Sequence, residues 1–398
     1  MKKMMKRVLA VTMALIMAFN VQTPQVVEAA SDTARYAGGY TIEDALTYFQ
    51  YFTKEDCNLS VHTVGPVAVG GTLKAVGFGN PITIGDAAQT PSYANKLTAA
   101  VVPDANTQQQ FGGTCTDFYI GEYTMESRNY WLNPWSFTMN ADYMDIAGNF
   151  ANIESESANL VNGSTAAVVN ENKVIELDFT KSTNYNITYE QLCQAVDINM
   201  IVGSVDDFKT QKCVVNITGV NGQKVVLDGT NDKGAENSEW VNVKLNNTTS
   251  EYLKSMSGSK AAGQHNPDGM KLIFNFPDAT GEVLNVTLGG HIVAPKATVI
   301  PCGGSMEGGV IAKNVTSSDA EPTEADKGIV RRVQAHYYPY NGLKAGAVEG
   351  TVTVDNIQIT KKYVETVGGS EVAESELPTT TAKFALYSDA ACTQIIAG

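Results

Sequence analysis

The 398-residue sequence has few of the residues from which metal sites and disulfide frameworks are usually built. Its four histidines and six cysteines are His62, His265, His291 and His336, and Cys57, Cys115, Cys193, Cys213, Cys302 and Cys392. No two cysteines form a Cys-x-x-Cys pair, and their wide spacing fits neither a zinc site nor a small disulfide-rich framework. Two interpretations of the cysteines stay open: a disulfide between the nearest pair, Cys193 and Cys213, or buried free thiols.

Catalytic signatures are also lacking. The sequence contains no His-Glu-x-x-His, P-loop, Gly-x-Ser-x-Gly or EF-hand pattern. The carboxylate pairs Asp142 with Asp145 and Asp206 with Asp207 are of the kind that a polysaccharide-active β-helix enzyme needs. In so acidic a chain, solvated loops also account for such pairs. We therefore predict that the protein is not an enzyme, with no catalytic residues, no cofactor and no metal site.

Two possible ion sites are the alternatives to the absence of a metal site. His62, His291 and His336 would form a metal cluster if the segments that carry them stack, although histidines bonded to the backbone at corners are the simpler interpretation. Residues 228–232 offer oxygen ligands of the type that calcium prefers, but their spacing matches no defined calcium loop.

Long apolar runs are missing beyond the N-terminus. Residues 1–30 combine a basic head, an apolar run from Val8 to Val21 and a small-residue cleavage site at Val27–Ala30. This is the pattern of a secretory signal peptide, because the run is too short to span a bilayer. We therefore expect a secreted protein.

Positive charge is scarce. The formal net charge is −14, and it becomes −17 when residues 1–30 are removed, since they hold four basic residues and one acidic residue. An acidic surface repels phosphate backbones, so we expect no nucleic acid partner.

A repeat organises what is present. Phe274–Thr280, Ile292–Thr298 and Val310–Thr316 align at intervals of 18 residues, with Gly290 above Gly308 at the corners. A short fixed period of apolar and small residues with glycine corners is typical of a β-solenoid, in which each coil buries its inward side chains against the next. The fold class that we predict is mainly β, a parallel β-solenoid with a few short helices. The alternative is a meander of antiparallel hairpins.

Local patterns predict the other elements. Thr41 and Asp44 form a capping-box pattern at the start of a helix over 41–53, whose aromatic face would plug the open solenoid end. Further helices are expected at 151–161 and 188–196, and strands at 173–179, 212–218, 224–227 and 240–245. Residues 74–150 are less regular. Tyr130, Trp131 and Trp135 lie close together there, either as a ligand-binding surface or packed against the solenoid's flank.

Four segments resemble a known family. His62–Gly71, Gly290–Val299, Met306–Lys313 and His336–Tyr340 are similar to blocks of the choice-of-anchor A domain, with the same order and separation, over residues 36–345. The resemblance implies a secreted bacterial surface protein with an adhesive module on the cell wall or a pilus, here of a Gram-positive bacterium. It also implies that variable C-terminal sequence supplies the anchor.

A second resemblance covers residues 352–398. Asp355–Lys362 and Ala382–Tyr387 are similar to the opening strands of a SpaA-like, prealbumin-like pilin repeat. In that family a first-strand lysine forms an isopeptide bond with an asparagine near the domain's end, so Lys361 or Lys362 would be that lysine. The partner asparagine would lie beyond Gly398, and we expect an incomplete β-sandwich here.

Together these patterns predict an adhesin-like surface protein that binds a protein or glycan on a host or environmental surface through an extended solenoid face. One alternative is a structural pilus or stalk subunit without its own ligand, and another is the polysaccharide-active β-helix enzyme. A third class is ice binding. It would use the column of Thr280, Thr298 and Thr316, although its neighbouring column of Asp278, Lys296 and Asn314 is charged and irregular.

Overall fold

The computed structural model describes residues 39–59, 65–75, 92–99, 118–125, 137–230, 233–247, 269–318 and 321–342, and the backbone of residues 366–367 and 370–371. The chain divides into two compact units, one of residues 33–348 and one of residues 1–32 with 349–398. The predicted signal peptide, Lys361 and Lys362 lie outside the described residues. So does the predicted SpaA-like segment, apart from one short antiparallel hairpin described below.

Helices are few and short. They are α1 (Ile42–Tyr48), α2 (Ile146–Asn159), α3 (Tyr189–Gln194) and α4 (Asp207–Thr210), with a 3-10 turn at Glu324–Asp326. Among the described residues, no helix has the length and apolar character needed to cross a membrane.

Strands are the most abundant regular element of the described chain. They are β1 (Tyr51–Thr53), β2 (Cys57–Leu59), β3 (Val67–Ala75), β4 (Ser92–Ala99), β5 (Phe118–Met125), β6 (Phe137–Met139), β7 (Thr165–Ala166), β8 (Val174–Asp178), β9 (Asn184–Thr188), β10 (Asp197–Ile201), β11 (Cys213–Thr218), β12 (Val225–Asp228), β13 (Trp240–Leu245), β14 (Leu272–Asn275), β15 (Glu282–Val286), β16 (His291–Cys302), β17 (Ser305–Glu307), β18 (Val310–Thr316), β19 (Gln334–His336), β20 (Thr366–Val367) and β21 (Ser370–Glu371). The last two form the antiparallel hairpin. The predicted mainly β class is confirmed.

Parallel pairing dominates the large unit. Seventeen strands join one sheet, and every strand pair in it is parallel. The pairs run in two series. The first ladder has the order β7-β9-β11-β14-β16-β18-β1-β3-β4-β5-β6, and the second has the order β8-β10-β13-β12-β15-β16-β18-β2-β3-β4-β5. The longer strands β16, β18, β3, β4 and β5 contribute to both.

Strand order in space departs from order along the chain. The last long strand, β18, pairs with the first two: Val310 lies opposite Tyr51, and Val315 opposite Cys57. The N-terminal strands β1 to β6 therefore continue the ladders beyond the C-terminal end of β7 to β18. Helix α2 and the segment after it carry the chain from β6 to β7.

The 18-residue repeat holds in the first ladder only. Phe274 pairs with Ile292, and Ile292 with Val310, at the expected interval. In the second ladder Thr298 pairs with Glu282 and with Asn314, an interval of 16 residues. The interval is shorter because the connection between the two ladders is two residues shorter in each successive coil. The aligned glycines of the repeat, Gly290 and Gly308, both have positive φ and form the turns before β16 and β18.

The main apolar core lies between the two ladders. In most of the strands, alternate residues point inward and are buried, as a period of two requires. Inward residues of the first ladder include Phe274, Ile292 and Val310, and those of the second include Val299 and Val315.

Helices α1 and α2 cover the outer side of the first ladder. Their apolar side chains, such as Leu46 and Phe150, pack on the outward residues Phe52, Ile273 and Ile311. The capping box of Thr41 and Asp44 is present, but the helix ends at Tyr48, and Phe52 lies on β1. The prediction that the 41–53 helix plugs the end of the sheet is therefore wrong: α1 lies on the side of the sheet, where β18 meets β1.

An asparagine series attaches the C-terminal end of α2 to the sheet. Asn275 Nδ2 donates to the Ser157 carbonyl and to Asn216 Oδ1, both at 2.8 Å. Asn216 Nδ2 donates to Asn184 Oδ1 at 2.7 Å, and Asn184 Nδ2 to the Leu160 carbonyl at 2.8 Å. These bonds satisfy helix-end carbonyl groups that have no partner within the helix.

Most other expected elements are present. The helices near 151–161 and 188–196 are α2 and α3, and the strands over 173–179, 212–218, 224–227 and 240–245 are β8, β11, β12 and β13. However, β11 and β12 pair with other strands rather than with each other, since each ladder takes one of them. Residues 74–150, which looked irregular, supply β4, β5 and β6 of the same sheet.

Candidate functional site

The outer side of the second ladder is divided into a covered part and an open part. The covered part carries an apolar cluster of Val226, Trp240, Leu284, Val286, Ile300 and Cys302, closed by Ile329. Ile329 belongs to residues 321–333, which we name the covering segment. The Lys327 ammonium lies 4.5 Å from the centre of the Trp240 ring, a cation–π contact. Gly303 N donates to the Val330 carbonyl at 3.0 Å.

The open part begins where the covering segment ends. Val315, Cys57, Leu73 and Leu97 point into the core, so the residues beside them point outward. We name these outward residues the open face: Asn314, Thr316, Asp56, Asn58, Thr72, Lys74 and Lys96. All are polar and at least partly exposed. The open face is thus a sheet surface of parallel strands with a mixture of hydroxyl, amide and charged groups.

Register places the open-face residues in two lines across the strands. In one line Thr316 lies opposite Asn58, and Asn58 opposite Lys74. In the other Thr72 lies opposite Lys96. Neighbouring members of a line are about 4.8 Å apart, the usual distance between paired strands.

Hydrogen bonds between side chains and the backbone connect Asn314, Asp56 and Thr72 and so fix the line that contains Thr72. Asp56 N donates to Asn314 Oδ1 at 2.9 Å, and Thr72 N donates to Asp56 Oδ1 at 2.7 Å. Lys96 lies 3.6 Å from Glu122 on β5, a solvent-exposed ion pair. Charges of both signs are present, so this surface has no strong field of one sign.

A groove of about 280 Å³ marks the boundary between the covered and open parts. It is lined by Ile300, Thr316, Ser318, Glu321, Pro322, Thr323 and Arg331. Ser318 N donates to the Arg331 carbonyl at 2.8 Å, so the backbone holds the two walls together. The Arg331 guanidinium lies 3.6 Å from the Glu282 carboxylate.

The predicted ligand-binding aromatics are not among the described residues. Tyr130, Trp131 and Trp135 belong to residues 126–136, between β5 and β6, and the prediction that they bind a ligand stays untested. His62 and His265 also lie outside the described part of the chain.

His291 and His336 have structural partners. Buried His291 lies 2.7 Å from the Met270 carbonyl through Nε2 and accepts from Gly309 N at 2.8 Å through Nδ1. Burial lowers the pKa of His291 to about 4, so the ring is neutral. His336 Nδ1 lies 2.7 Å from the buried carboxylate of Glu307. Within the described ranges, no group of three or more His, Cys, Asp or Glu residues is arranged to hold a metal ion.

Glu307 and Tyr338 extend the His336 contact. Burial is the larger cause, and the negative charge of Glu307 the smaller one, of a pKa of the Tyr338 phenol far above its usual value. The second carboxylate oxygen of Glu307 and the Tyr338 hydroxyl are both enclosed. The three side chains lie on β17, on β19 and on the segment after it.

Three of the four carboxylates weighed as catalytic pairs have local structural roles. Asp145 accepts from Gly148 N at 2.8 Å as the N-cap of α2, and Asp207 accepts from Ser204 N at 3.0 Å. Asp206 pairs with Lys209 at 2.9 Å. In the segment weighed as a calcium loop, Asp228 Oδ1 accepts from Thr230 N at 2.9 Å, which forms an Asx turn.

The four described cysteines are free thiols, so Cys193 and Cys213 are not joined. Burial raises the pKa of Cys213 to about 12 and also raises that of Cys193.

The threonine column considered for ice binding does not form. Thr298 lies opposite Glu282 and Asn314, and Thr316 lies opposite Asn58. The two-residue difference between the ladders moves the threonines out of line.

Sequence reasoning missed the open face. Alternation in Thr72-Leu-Lys74 and Asp56-Cys-Asn58 does indicate outward polar residues. What the alternation could not indicate is that these short strands continue the ladder from Thr316.

Comparison with known proteins agrees with a surface-binding role. A family model described as "Putative Ice-binding-like adhesive domain" matches residues 42–321. Searches of curated proteins and of solved structures found no significant match.

Proposed function

The chain belongs to the family of ice-binding-like adhesive domains, and from this premise we propose that it is an adhesin that binds a surface ligand through the open face. The observation that carries the proposal is the open face itself, a row of outward polar side chains on paired parallel strands. Such a surface suits an extended ligand, because paired strands hold the side chains at fixed spacing and little order is lost on binding.

The proposed architecture is a parallel β-solenoid. Two ladders of parallel strands that enclose one core, with glycine corners between them, support this assignment. In this architecture the N-terminal strands β1 to β6 form coils that stack on the coil that contains β18.

We further propose that the protein is secreted and displayed on the wall or a pilus of a Gram-positive bacterium. The N-terminal signal-peptide pattern and the resemblance to the choice-of-anchor A domain support display. The resemblance of residues 352–398 to a SpaA-like repeat, with Lys361 or Lys362 as its isopeptide lysine, supports attachment through C-terminal sequence.

Binding without turnover is the favoured activity. Three of the four carboxylates weighed as catalytic pairs are used in a helix cap, a turn and an ion pair, which supports this choice. A structural pilus subunit without its own ligand is the second candidate, favoured by the close packing of the sheet's core.

A matched pair of double variants tests the open face. Thr72→Trp with Lys74→Glu adds bulk and reverses a charge on the open face, whereas Thr180→Trp with Lys181→Glu makes the same changes on an exposed turn after β8. Binding is measured on an array of immobilised glycans and purified extracellular-matrix proteins. We expect the open-face variant to lose at least about tenfold in affinity for whichever probe the wild type binds, equivalent to about 1.4 kcal/mol.

The control variant should bind like the wild type. Equal binding by all three proteins would show that the open face is not the binding surface. Failure of the wild type to bind any probe would count against an adhesin and favour the structural subunit.

A further inference from the structure

The groove at the end of the open face has the size of one sugar ring. Its volume of about 280 Å³ is slightly below the range of about 300–1,000 Å³ that is usual for pockets that hold drug-sized ligands. It is large enough for one ring-shaped unit.

Its lining combines hydroxyl groups, opposite charges and apolar surface. Thr316, Ser318 and Thr323 supply hydroxyls that both donate and accept, while Ile300 and Pro322 supply apolar contact. A sugar ring presents the complementary features, hydroxyls at its edge and C–H groups on its face.

The charges around the groove disfavour an anionic ligand. Arg331 is the cation among the described residues of the lining, and its guanidinium already lies 3.6 Å from Glu282. Glu321 contributes a carboxylate to the lining. A phosphate or an acidic sugar would meet the Glu321 carboxylate and an arginine that is already paired, so a neutral ligand fits better.

The groove is built on well-anchored backbone. One wall is held by the bond from Ser318 N to the Arg331 carbonyl, and the covering segment is fixed by Gly303 N and by buried Ile329. A preformed site binds with a smaller ordering cost than one that closes on its ligand.

One line of the sheet connects the groove with the open face. Ile300 and Thr316 line the groove, and Thr316 lies opposite Asn58, which lies opposite Lys74. A chain whose end occupies the groove would thus pass over Asn58 and Lys74. A peptide that adds a strand is disfavoured, because β18 is paired on both sides with other described strands.

We infer that the groove binds the terminal unit of a neutral, hydroxyl-rich glycan whose following units lie along the open face. This inference rests on the proposed function, for which it names the ligand class.

Oligosaccharide length separates the two parts of the site. The probes are linear neutral oligosaccharides of one to six hexose units, with affinity measured by isothermal titration calorimetry. We expect wild-type affinity to rise with length and then to level off once the open face is covered.

Three variants and a control separate the contribution of the groove to oligosaccharide affinity from that of the open face. Thr323→Trp fills the groove and should lower affinity at least tenfold for every length, whereas Thr323→Ser should keep wild-type affinity because it retains the hydroxyl. Thr72→Trp with Lys74→Glu should weaken only the longer probes. Thr183→Trp, at an exposed threonine before β9, is the control for added bulk and should change nothing.

Several results would overturn the inference. If Thr323→Trp binds the oligosaccharides as tightly as the wild type, the groove is not part of the binding site. The proposed function would still hold if the open-face variant lost affinity in the same experiment. Tighter binding of uronic-acid oligosaccharides than of neutral ones would show that the ligand class is wrong. No binding of any saccharide, together with binding of a matrix protein, would refute the glycan and retain the adhesin.

Discussion

A single buried imidazole joins three segments of the sheet. Neutral His291 donates through Nε2 to the Met270 carbonyl and accepts from Gly309 N through Nδ1. The ring therefore has one defined tautomer, set by the backbone groups on either side. Protonation would destroy the acceptor at Nδ1 and place an unpaired charge in the core.

We predict that His291 makes the protein acid-sensitive between about pH 6.5 and pH 4. The unfolded chain binds a proton at His291 below its ordinary pKa of 6.5, whereas burial lowers the folded pKa to about 4. The contribution of neutral His291 to the free energy of unfolding is fully present above pH 6.5. It then decreases by about 1.4 kcal/mol for each pH unit, so that about 3 kcal/mol has been lost at pH 4.

Urea unfolding of the wild type and of His291→Phe at several pH values measures this contribution. The variant should be less stable at pH 7 by about 2–5 kcal/mol, because two buried backbone groups lose their partners. Its stability should also fall less steeply with acid than that of the wild type. Parallel pH profiles for the two proteins would contradict the assignment.

The turn between β17 and β18 depends on close backbone contact. Gly308 has a φ of +143°, and a Cβ atom added there would overlap the carbonyl oxygen of Gly290, its counterpart in the repeat. Gly219, at the end of β11, also has positive φ, at +77°, but a Cβ there would meet no atom within 4 Å.

Alanine at these two glycines should therefore have unequal costs. Gly219→Ala adds only the backbone penalty of a left-handed residue, about 1–2 kcal/mol. Gly308→Ala adds a steric clash with backbone and should cost more than about 3 kcal/mol, since the strands on both sides must shift. Thermal or urea unfolding gives both values, and equal costs would show that the turn relaxes freely.

Within the large unit, the first strands of the sequence pair with β18, the last strand of the 17-stranded sheet. Cys57 on β2 lies opposite Val315 on β18, and both point into the core. Val299 is the next residue in the same line, on the far side of Val315. This pairing makes one continuous sheet from two parts of the sequence.

A cysteine placed in that line tests the strand order. Val315→Cys should form a disulfide with Cys57 under mild oxidation, because directly paired strands bring Cα atoms within the range of about 4.4–6.8 Å that a disulfide spans. Val299→Cys is two strand spacings away and should not. Peptide mapping without reductant identifies the link, and a disulfide between Cys57 and the thiol introduced by Val299→Cys would refute this strand order.

Sequence patterns settled the features that depend on near neighbours. The capping box of Thr41 with Asp44 was predicted and is present, because a capping box is closed within three residues. Alternation of apolar residues gave most strands, and the repeat gave the first-ladder register from Phe274 to Val310. In the candidate site, alternation indicates which residues point outward.

Only the tertiary structure decided how distant strands meet. The two-residue change at the corners moves Thr298 away from Thr280 and Thr316, although all three align in the repeat. Likewise no local pattern states that β2 follows β18, so the line from Thr316 through Asn58 to Lys74 is absent from the sequence. The physical reason is that side-chain alternation along a strand and helix capping are set by local geometry. Register between strands depends instead on how corners of unequal length bring separate apolar faces into one core.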